Sequence, residues 1–285
     1  MNDRITIYEV GPRDGLQNES RLIPTPRKIE LVDRLSGCGL TRLEVASFVS
    51  PKWVPQMADG AAVLAGIARA PGARYAALVP NLKGYAAARA ARAGEVAIFA
   101  SASESFSQRN INCSIAESLA RFAPVAEAAA RDGVPLRGYV SCVTDCPFEG
   151  AIDPRRVADV TARLFGLGCH EVSLGDTIGR GTPDSVGRML AAVLETSAAG
   201  RLAGHFHDTG GRALENIEVA LGLGLRVFDA ACGGLGGCPF APGSEGNVAT
   251  ERVVARLSDL GFETGIDRAG LEAAARFARG LRQGA

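Results

Sequence analysis

Short segments rich in apolar residues recur along the whole chain, and several of them alternate apolar with polar positions. Short alternating or continuous apolar segments are typical of β-strands that are buried on one or both faces. Eight of them can be distinguished, at residues 5–10, 42–46, 75–79, 96–100, 136–141, 171–174, 203–207 and 227–231. The pattern therefore predicts strands spread over almost the entire chain.

Helix signals fill the intervals between these segments. Five intervals open on residue types that cap helices or occupy their first turn. These openings are Thr25-Pro26, Asn81, Ser114 with Glu117, Asp153-Pro154 and Thr182-Pro183. Three of the helices are predicted to end near a glycine, at Gly94, Gly168 and Gly200. Two further helical patterns cover residues 245–260 and 267–281.

The alternation of strands and helices predicts a parallel α/β sheet, because parallel neighbours need a crossover that a helix commonly provides. Eight strands in a chain of 285 residues favour a closed (β/α)8, or TIM, barrel with an extra C-terminal helix. An open doubly wound sheet is the alternative, but the turn at residues 11–15 lacks the G-x-G-x-x-G pattern. No segment has the composition of a linker, so we expect residues 1–285 to form a single barrel domain.

The charges of the chain balance, with 31 basic and 31 acidic side chains. A nucleic-acid-binding surface needs a basic excess, so we expect no nucleic-acid partner. The seven cysteines include no C-x-x-C pair, which argues against a zinc ribbon or a disulfide framework and favours a reducing compartment. The first strand pattern begins at Ile5, so we expect no secretory leader, and no apolar run approaches ~20 residues. We therefore expect a cytoplasmic protein with no membrane partner.

Two of the three histidines lie two positions apart in the seventh predicted strand. Alternate side chains of a strand point to the same face, so His205 and His207 are predicted to face together. At the carboxyl end of a barrel strand that face is the barrel mouth, where enzymes with this fold keep their active sites. Two neutral imidazoles can converge there on one divalent ion, and a hydrogen-bonded structural pair is the competing interpretation.

Carboxylates accompany three other predicted strands. Asp14 follows the first strand, Glu44 lies within the second, and Asp176 comes just after the sixth. A single carboxylate in a loop is more often a helix cap or a solvated charge, but three at strand ends favour a shared site. Mixed imidazole and oxygen donors suit Mg²⁺, Mn²⁺ or Zn²⁺ without distinguishing them.

A glycine-rich segment follows the eighth predicted strand at residues 233–240 (GGLGGCPF). Four glycines around one leucine form a poor core and a backbone that is free to move, so this segment is a candidate lid that carries Cys238. A flexible connector with an incidental thiol is the alternative. No Gly-Lys-Ser or Gly-Lys-Thr follows, which argues against a phosphate-binding loop.

Seven longer motifs follow one another along the chain. They are residues 9–19 (EVGPRDGLQNE), 47–56 (SFVSPKWVPQ), 110–114 (NINCS), 139–142 (YVSC), 173–179 (SLGDTIG), 205–209 (HFHDT) and 234–239 (GLGGCP). Over nearly the whole chain they closely resemble the 3-hydroxy-3-methylglutaryl-CoA lyases, a family of metal-dependent lyase and aldolase barrels. The resemblance implies retro-Claisen cleavage of 3-hydroxy-3-methylglutaryl-CoA to acetyl-CoA and acetoacetate, a reaction of leucine degradation and ketone-body formation.

The matched positions imply a metal centre and a substrate site. Residues that hold the metal in the family correspond here to Asp14, His205, His207 and Asn247, and Mg²⁺ or Mn²⁺ is the implied ion. The positions matched to the substrate site are Arg13, Gln17, Ser47 and Ser173. The resemblance also implies a small-molecule acyl-CoA ligand and a homo-oligomer, which we expect to be a dimer.

Four positions match catalytic groups of the family: Arg13, Glu44, Asp176 and Cys238. We expect Arg13 to stabilise the enolate oxygen, because a guanidinium is planar and permanently charged, and Glu44 to orient it. Cys238 is expected to protonate the enolate carbon as a general acid. The base that removes the proton of the 3-hydroxyl is expected to be Asp14 or Asp176.

The chain departs from the family pattern at two places. Gly210-Gly211 stands where Tyr-Gly is usual, and residues 230–233 (AACG) replace a serine-rich segment. These departures predict a roomier and less polar pocket that tolerates longer substituents at C3 of the substrate. Two alternatives stay open: a lyase for another 3-hydroxy-3-substituted acyl-CoA, and a related metal-dependent aldolase or acyltransferase. A non-catalytic metal-binding barrel is a third, and the presence of every ligand and of Cys238 disfavours it.

Overall fold

A computed structural model describes residues 4–238 and 241–283, and within these ranges all side chains except those of residues 237, 238, 241–245 and 283. Eight parallel strands close into a barrel. They are β1 (Thr6–Glu9), β2 (Arg42–Ser47), β3 (Arg74–Leu78), β4 (Glu95–Ser101), β5 (Leu136–Ser141), β8 (Glu171–Asp176), β9 (Leu202–Phe206) and β10 (Val227–Ala230). Around the barrel they are paired in the order β1-β10-β9-β8-β5-β4-β3-β2. The predicted TIM barrel is confirmed.

Two short antiparallel hairpins lie outside the barrel sheet. One pairs β6 (Asp145–Cys146) with β7 (Gly150–Ala151), and the other pairs β11 (Gly237–Cys238) with β12 (Ala241–Glu245). Both were absent from the strand prediction, because each hairpin contains at least one two-residue strand and so short a strand carries no periodic signal.

Helices follow the barrel strands along the chain. They are α1 (Thr25–Gly37), α2 (Gly60–Gly66), α3 (Leu82–Ala90), α4 (Glu104–Ile111), α5 (Ile115–Arg131), α6 (Pro154–Gly166), α7 (Pro183–Leu194), α8 (Ala213–Gly222), α9 (Thr250–Asp259) and α10 (Arg268–Gln283). Short helical turns cover Gly11–Gly15, Pro55–Met57, Ala199–Arg201 and Cys232–Gly234. None of the described helices is both long and apolar enough to cross a membrane.

Most of the predicted helix starts are confirmed by side-chain caps. The Asn81 side chain accepts from the amide of Gly84, and Ser114 and Glu117 cap each other's backbone amides. The predicted helix over residues 245–260 is wrong at its start, because residues 241–245 pair as β12 and α9 begins only at Thr250. The extra C-terminal helix is α10, which packs against α1 and α9.

Charged side chains from β5, β8 and β10 meet in the interior of the barrel. Arg137 on β5 is fully buried and bonds Glu171 through Nε at 2.7 Å and Asp229 through Nη2 at 2.7 Å. Its guanidinium lies 3.9 Å from the ring centroid of Tyr8 and 4.8 Å from that of Tyr139. Because a buried charge needs paired counter-charges, these contacts account for how an arginine is accommodated inside the barrel.

Candidate functional site

A cavity of about 770 Å³ opens at the carboxyl ends of the barrel strands. Its floor includes Arg13, Asp14, Tyr139, His205 and His207, which come from the ends of β1, β5 and β9. Apolar side chains line its wall: Val49, Val54, Leu78, Phe99, Phe106, Ile111, Phe122 and Val140. This is the end of the fold at which TIM-barrel enzymes carry out their chemistry.

A tight turn after β1 delivers two charged residues to the cavity floor. Over Gly11–Gly15 the amide of Gly15 bonds the carbonyl of Val10 at 3.1 Å, closing a single wide helical turn. A Cβ at Gly15 would lie 2.6 Å from the Cβ of Leu235, so only glycine fits there. The turn thereby places Arg13 and Asp14 together at the barrel mouth.

Asp14, His205 and His207 bring their ligand atoms within 4.8 Å of one another. The predicted convergence of the two histidines is therefore observed, with ring centroids 5.2 Å apart. His207 Nδ1 is buried and has no hydrogen-bond partner among the described residues. A buried imidazole nitrogen without a partner, next to a carboxylate and a second imidazole, fits a divalent metal ion.

The environment keeps two of these groups in the protonation states that bind metal. Burial raises the pKa of Asp14, but the charges of Arg13 and of both histidines outweigh it and hold the pKa at about 2. Burial and the neighbouring His205 lower the pKa of His207 to about 4. A carboxylate and a neutral imidazole are therefore the forms near neutral pH, as metal ligation requires.

Asn247 approaches the same carboxylate from the segment before α9. Its Nδ2 donates to Asp14 Oδ2 at 2.8 Å, and residue 247 pairs in an isolated bridge with His207. A metal would be bound through the amide oxygen, since the Nδ2 group has no free lone pair. The structure thus brings all four sequence-predicted metal ligands together.

Arg13 is held between two carboxylates. Its Nε donates to Glu44 Oε2 at 2.6 Å, and its Nη1 donates to Asp14 Oδ1 at 2.6 Å. The same Glu44 oxygen accepts from the hydroxyl of Tyr139 at 3.1 Å. Glu44 is completely buried, whereas Arg13 reaches the cavity. The guanidinium is therefore fixed in one orientation beside Asp14, one of the sequence-predicted metal ligands.

The other sequence-predicted site residues differ in their access to the cavity. Gln17 lines it, whereas Ser47, Ser173 and Asp176 are buried and absent from its described lining. Ser173 donates to Asp229 Oδ2 at 2.8 Å, below the cavity floor. Asp176 accepts from the hydroxyl of Thr144 at 2.9 Å and from the amide of Gly181 at 2.8 Å. Asp176 therefore braces two loops at the barrel mouth.

The predicted lid lies only partly within the described residues. The backbone of Cys238 pairs with β12, but its side chain and residues 239–240 lie outside the described part of the structure. The role predicted for Cys238 stays a prediction.

The expectation that Gly210-Gly211 enlarges the pocket is wrong. Both residues are exposed, and neither belongs to the described lining of the cavity. A Cβ at Gly211 would meet nothing within 4 Å, and its φ of +69° favours glycine in any case. These two positions form a surface turn after β9 and do not shape the cavity.

Two residues of the site were missed by the sequence interpretation. Tyr139 lines the cavity and bonds Glu44, and Asp229 lies 3.1 Å from His205 Nδ1. Asp229 did carry a signal, because it is a charged residue inside an otherwise apolar strand pattern. Such a residue in a closed barrel is expected to face a polar partner in the interior.

Known proteins similar to this chain were found in three comparisons. A family model described as HMGL-like matches residues 4–277. Hydroxymethylglutaryl-CoA lyase, mitochondrial, of Gallus gallus is 57% identical over 93% of this chain and 89% of its own length. The 3-hydroxy-3-isohexenylglutaryl-CoA/hydroxy-methylglutaryl-CoA lyase of Pseudomonas aeruginosa is 57% identical over 93% of this chain and 88% of its own length. The crystal structure of the HMG-CoA lyase from Brucella melitensis superposes with a TM-score of 0.97 at 62% identity, covering 98% of this chain and 99% of that chain.

The family model spans almost the whole chain, and the Brucella melitensis enzyme shares its fold over nearly every residue. More than half of the positions are identical to each of these three relatives. The chain therefore belongs to the HMGL-like family of hydroxymethylglutaryl-CoA lyases.

Proposed function

We propose that this chain is a metal-dependent carbon–carbon lyase that cleaves 3-hydroxy-3-methylglutaryl-CoA to acetyl-CoA and acetoacetate. The observation that carries the proposal is the convergence of Asp14, His205 and His207 with a clamped Arg13 at the floor of one cavity. The Gallus gallus and Pseudomonas aeruginosa relatives are named as lyases of this thioester, which supports it. Residues 1–285 are proposed to act as one lyase domain.

Asp14, His205, His207 and Asn247 would hold the divalent ion, for which we propose Mg²⁺ or Mn²⁺ because oxygen and imidazole donors suit both. Such an ion, when bound, supplies Lewis-acid polarisation of oxygen atoms. The protein fixes the position of the Asp14 carboxylate, because Arg13 donates to its Oδ1 and Asn247 donates to its Oδ2.

In the proposed reaction the 3-hydroxyl loses its proton, its oxygen becomes the ketone oxygen of acetoacetate, and the C2–C3 bond breaks. The electrons of that bond move onto the thioester as an enolate. Arg13 is suited to that charge, because its Nη atoms retain hydrogens beyond those bonded to Asp14 and Glu44. Because the guanidinium is already oriented, the site needs little reorganisation when negative charge appears on the thioester.

Two proton transfers complete the proposed reaction. Cys238 is proposed to give a proton to C2 of the enolate, which yields acetyl-CoA. The proton of the 3-hydroxyl is proposed to pass to Asp14 or to Asp176. Only Asp14 lines the described cavity, and Asp176 would have to break its bonds to Thr144 and Gly181 to reach it.

The exposed part of the cavity suits the rest of a CoA thioester. Arg109 on α4 and Arg121 on α5 both line it and are exposed, and Trp53, which is 87% exposed, lines the same cavity. Coenzyme A carries phosphate groups and an adenine ring, for which arginines and an indole are suitable partners. We propose that the nucleotide end lies there while the acyl group reaches the floor.

A second candidate substrate is a thioester with a longer group at C3. The Pseudomonas aeruginosa relative is named for an isohexenyl as well as a methyl compound. The apolar wall of the cavity, which includes Leu78, Phe99 and Phe122, offers a surface on which such a group would bury area.

Metal-stripped protein incubated with 3-hydroxy-3-methylglutaryl-CoA tests the main proposal. Added Mg²⁺ or Mn²⁺ is expected to release acetyl-CoA and acetoacetate in equal amounts, and chelator is expected to stop it. Absence of both products with every divalent ion would overturn the proposed function.

Two further expectations about the chain stay predictions. A homodimer is one, to be measured by analytical ultracentrifugation. A cytoplasmic location is the other, to be measured by cell fractionation, and the Gallus gallus relative is named as mitochondrial.

A further inference from the structure

Asp229 lies directly beneath one of the metal-binding histidines. It is 2% exposed on β10, and in the parallel pairing of β10 with β9 its register partner is His205. Its Oδ2 lies 3.1 Å from His205 Nδ1. This carboxylate is therefore buried in the barrel interior and absent from the described lining of the cavity, whereas His205 lines that cavity.

Two residues, Arg137 and Ser173, hold the Asp229 carboxylate in place through three hydrogen bonds. Arg137 donates from Nη2 to Oδ1 at 2.7 Å and from Nη1 to Oδ2 at 3.1 Å, a two-point contact that fixes the carboxylate plane. Ser173 donates to Oδ2 at 2.8 Å. A carboxylate that receives these donors is ionised and only accepts, so His205 Nδ1 must be the donor in the contact between them.

This donor assignment fixes which nitrogen of His205 is free. If Nδ1 carries the hydrogen, the lone pair of the neutral ring is on Nε2, and that is the atom available to a metal beside Asp14 and His207. We infer that Asp229 is a positioning residue that holds His205 in the Nδ1–H tautomer, with Ser173 and Arg137 holding Asp229. The inference rests on the metal centre proposed above.

The alternative to be excluded is that Asp229 serves only to neutralise Arg137. Glu171 provides the matched comparison, because it is also a buried carboxylate bonded to Arg137, at 2.7 Å from Nε, but it contacts neither histidine of the centre. Asp229→Asn and Glu171→Gln each remove one counter-charge of the same arginine. Only the first changes the group bonded to His205.

Mn²⁺ binding to the metal-stripped full-length protein, followed by electron paramagnetic resonance without substrate, separates the two roles. Asp229→Asn is expected to lose about 10–100-fold in Mn²⁺ affinity, the usual effect of removing the partner of a metal-binding histidine. Glu171→Gln is expected to keep the wild-type affinity even if its thermal midpoint falls. Equal losses in the two variants, or wild-type affinity in Asp229→Asn, would overturn the inference.

A measurement on the wild-type chain does not depend on whether a variant folds. Only three histidines are present, so the imidazole ¹⁵N spectrum of metal-free protein is simple to assign. At a pH where the rings are neutral, His205 is expected as the Nδ1–H tautomer, and an Nε2–H or mixed ring would overturn the inference. Failure of wild-type protein to bind Mn²⁺ at all would instead count against the metal centre.

Discussion

Arg13 and Glu44 form a buried ion pair that ties the turn after β1 to strand β2. Nε and Nη2 of Arg13 lie 2.6 and 2.5 Å from Glu44 Oε2, while Nη1 lies 2.6 Å from Asp14 Oδ1. Together these contacts leave the guanidinium no freedom to rotate away from the cavity floor. Its role in the proposed reaction therefore depends on its shape as well as on its charge.

We predict that Arg13→Lys lowers kcat by about 10²–10³-fold, the usual effect of losing one donor to a developing oxyanion, and changes substrate affinity little. Lysine keeps the charge but offers a single nitrogen in place of the planar group whose separate nitrogens bond Glu44 and Asp14. Steady-state kinetics together with equilibrium binding of a non-cleavable acyl-CoA checks this. Unchanged kcat with weaker binding would assign Arg13 to uniform substrate binding.

We predict that Cys238→Ser lowers kcat by about 10²–10⁴-fold, as expected for a positioned general acid, and leaves Mn²⁺ affinity unchanged. Cys232→Ser is the matched control, because Cys232 is fully buried and burial holds the pKa of its thiol well above the usual range. That thiol is expected to contribute nothing to kcat. Equal effects of the two substitutions would make Cys238 a packing residue.

The strand pattern could be predicted from sequence because each barrel strand is buried along most of its length. All eight predicted segments overlap the observed strands, and β5 has the same ends in both. The helix predicted over residues 245–260 began too early, because β12 ends only at Glu245 and its pairing partner, Gly237–Cys238, is too short to show periodicity. The periodicity of apolar residues shows where a strand lies along the chain, but it does not show which short segments pair with each other.

The residues of the site also separate into those that the sequence could predict and those that it could not. His205 and His207 could be predicted because strand geometry alone places them on one face. Asp229 could not be connected to His205, since the register of β10 against β9 is set by the closed barrel rather than by either strand. Ser173 faces Asp229 for the same reason, although sequence placed it near the substrate.

A third prediction concerns Glu9, which is fully buried and accepts from the amides of Gly11 and Cys232 and from the hydroxyl of Thr250. Burial outweighs these bonds and raises the pKa of Glu9 from 4.5 to about 7. The folded chain then holds this proton more tightly than the unfolded chain. Stability is therefore expected to fall by about 3 kcal/mol as pH rises from 4.5 to 7.

Glu9→Gln has no such proton, so the difference in unfolding free energy between variant and wild type should change with pH over this window. Urea unfolding at pH 5, 6, 7 and 8 measures that difference. A constant difference across the window would show that the three donors keep Glu9 ionised throughout.

A fourth prediction tests the proposed nucleotide end of the cavity. Arg109→Gln and Arg121→Gln are each expected to raise KM for the CoA thioester about 1.5- to 5-fold, the range for exposed charge contacts, without changing kcat. The pantetheine thioester lacks the nucleotide, so its KM should not respond. An equal rise in KM for both thioesters would mean that these arginines affect the shape of the cavity and do not bind the phosphate groups of coenzyme A.

The last prediction concerns the group at C3 of the substrate, which we propose packs against the apolar wall of the cavity. Leu78 is 7% exposed at the end of β3, lines the cavity and packs in a small buried cluster with Tyr139 and Phe99. Enlarging this side chain should take room from a longer substituent before it affects a methyl group. We therefore expect Leu78→Phe to lower kcat/KM for a longer C3 chain more than for the methyl compound.

One methylene in a fitted pocket changes transition-state binding by about 1–3 kcal/mol, so the shift in preference should be roughly tenfold or more. Gly211→Asn is the control, because asparagine tolerates the left-handed backbone there and its side chain would enter open space away from the cavity. It should leave the preference unchanged. Equal losses for both substrates in Leu78→Phe would place the C3 group elsewhere, whereas a changed preference in Gly211→Asn would mean that the turn after β9 closes over the site during turnover.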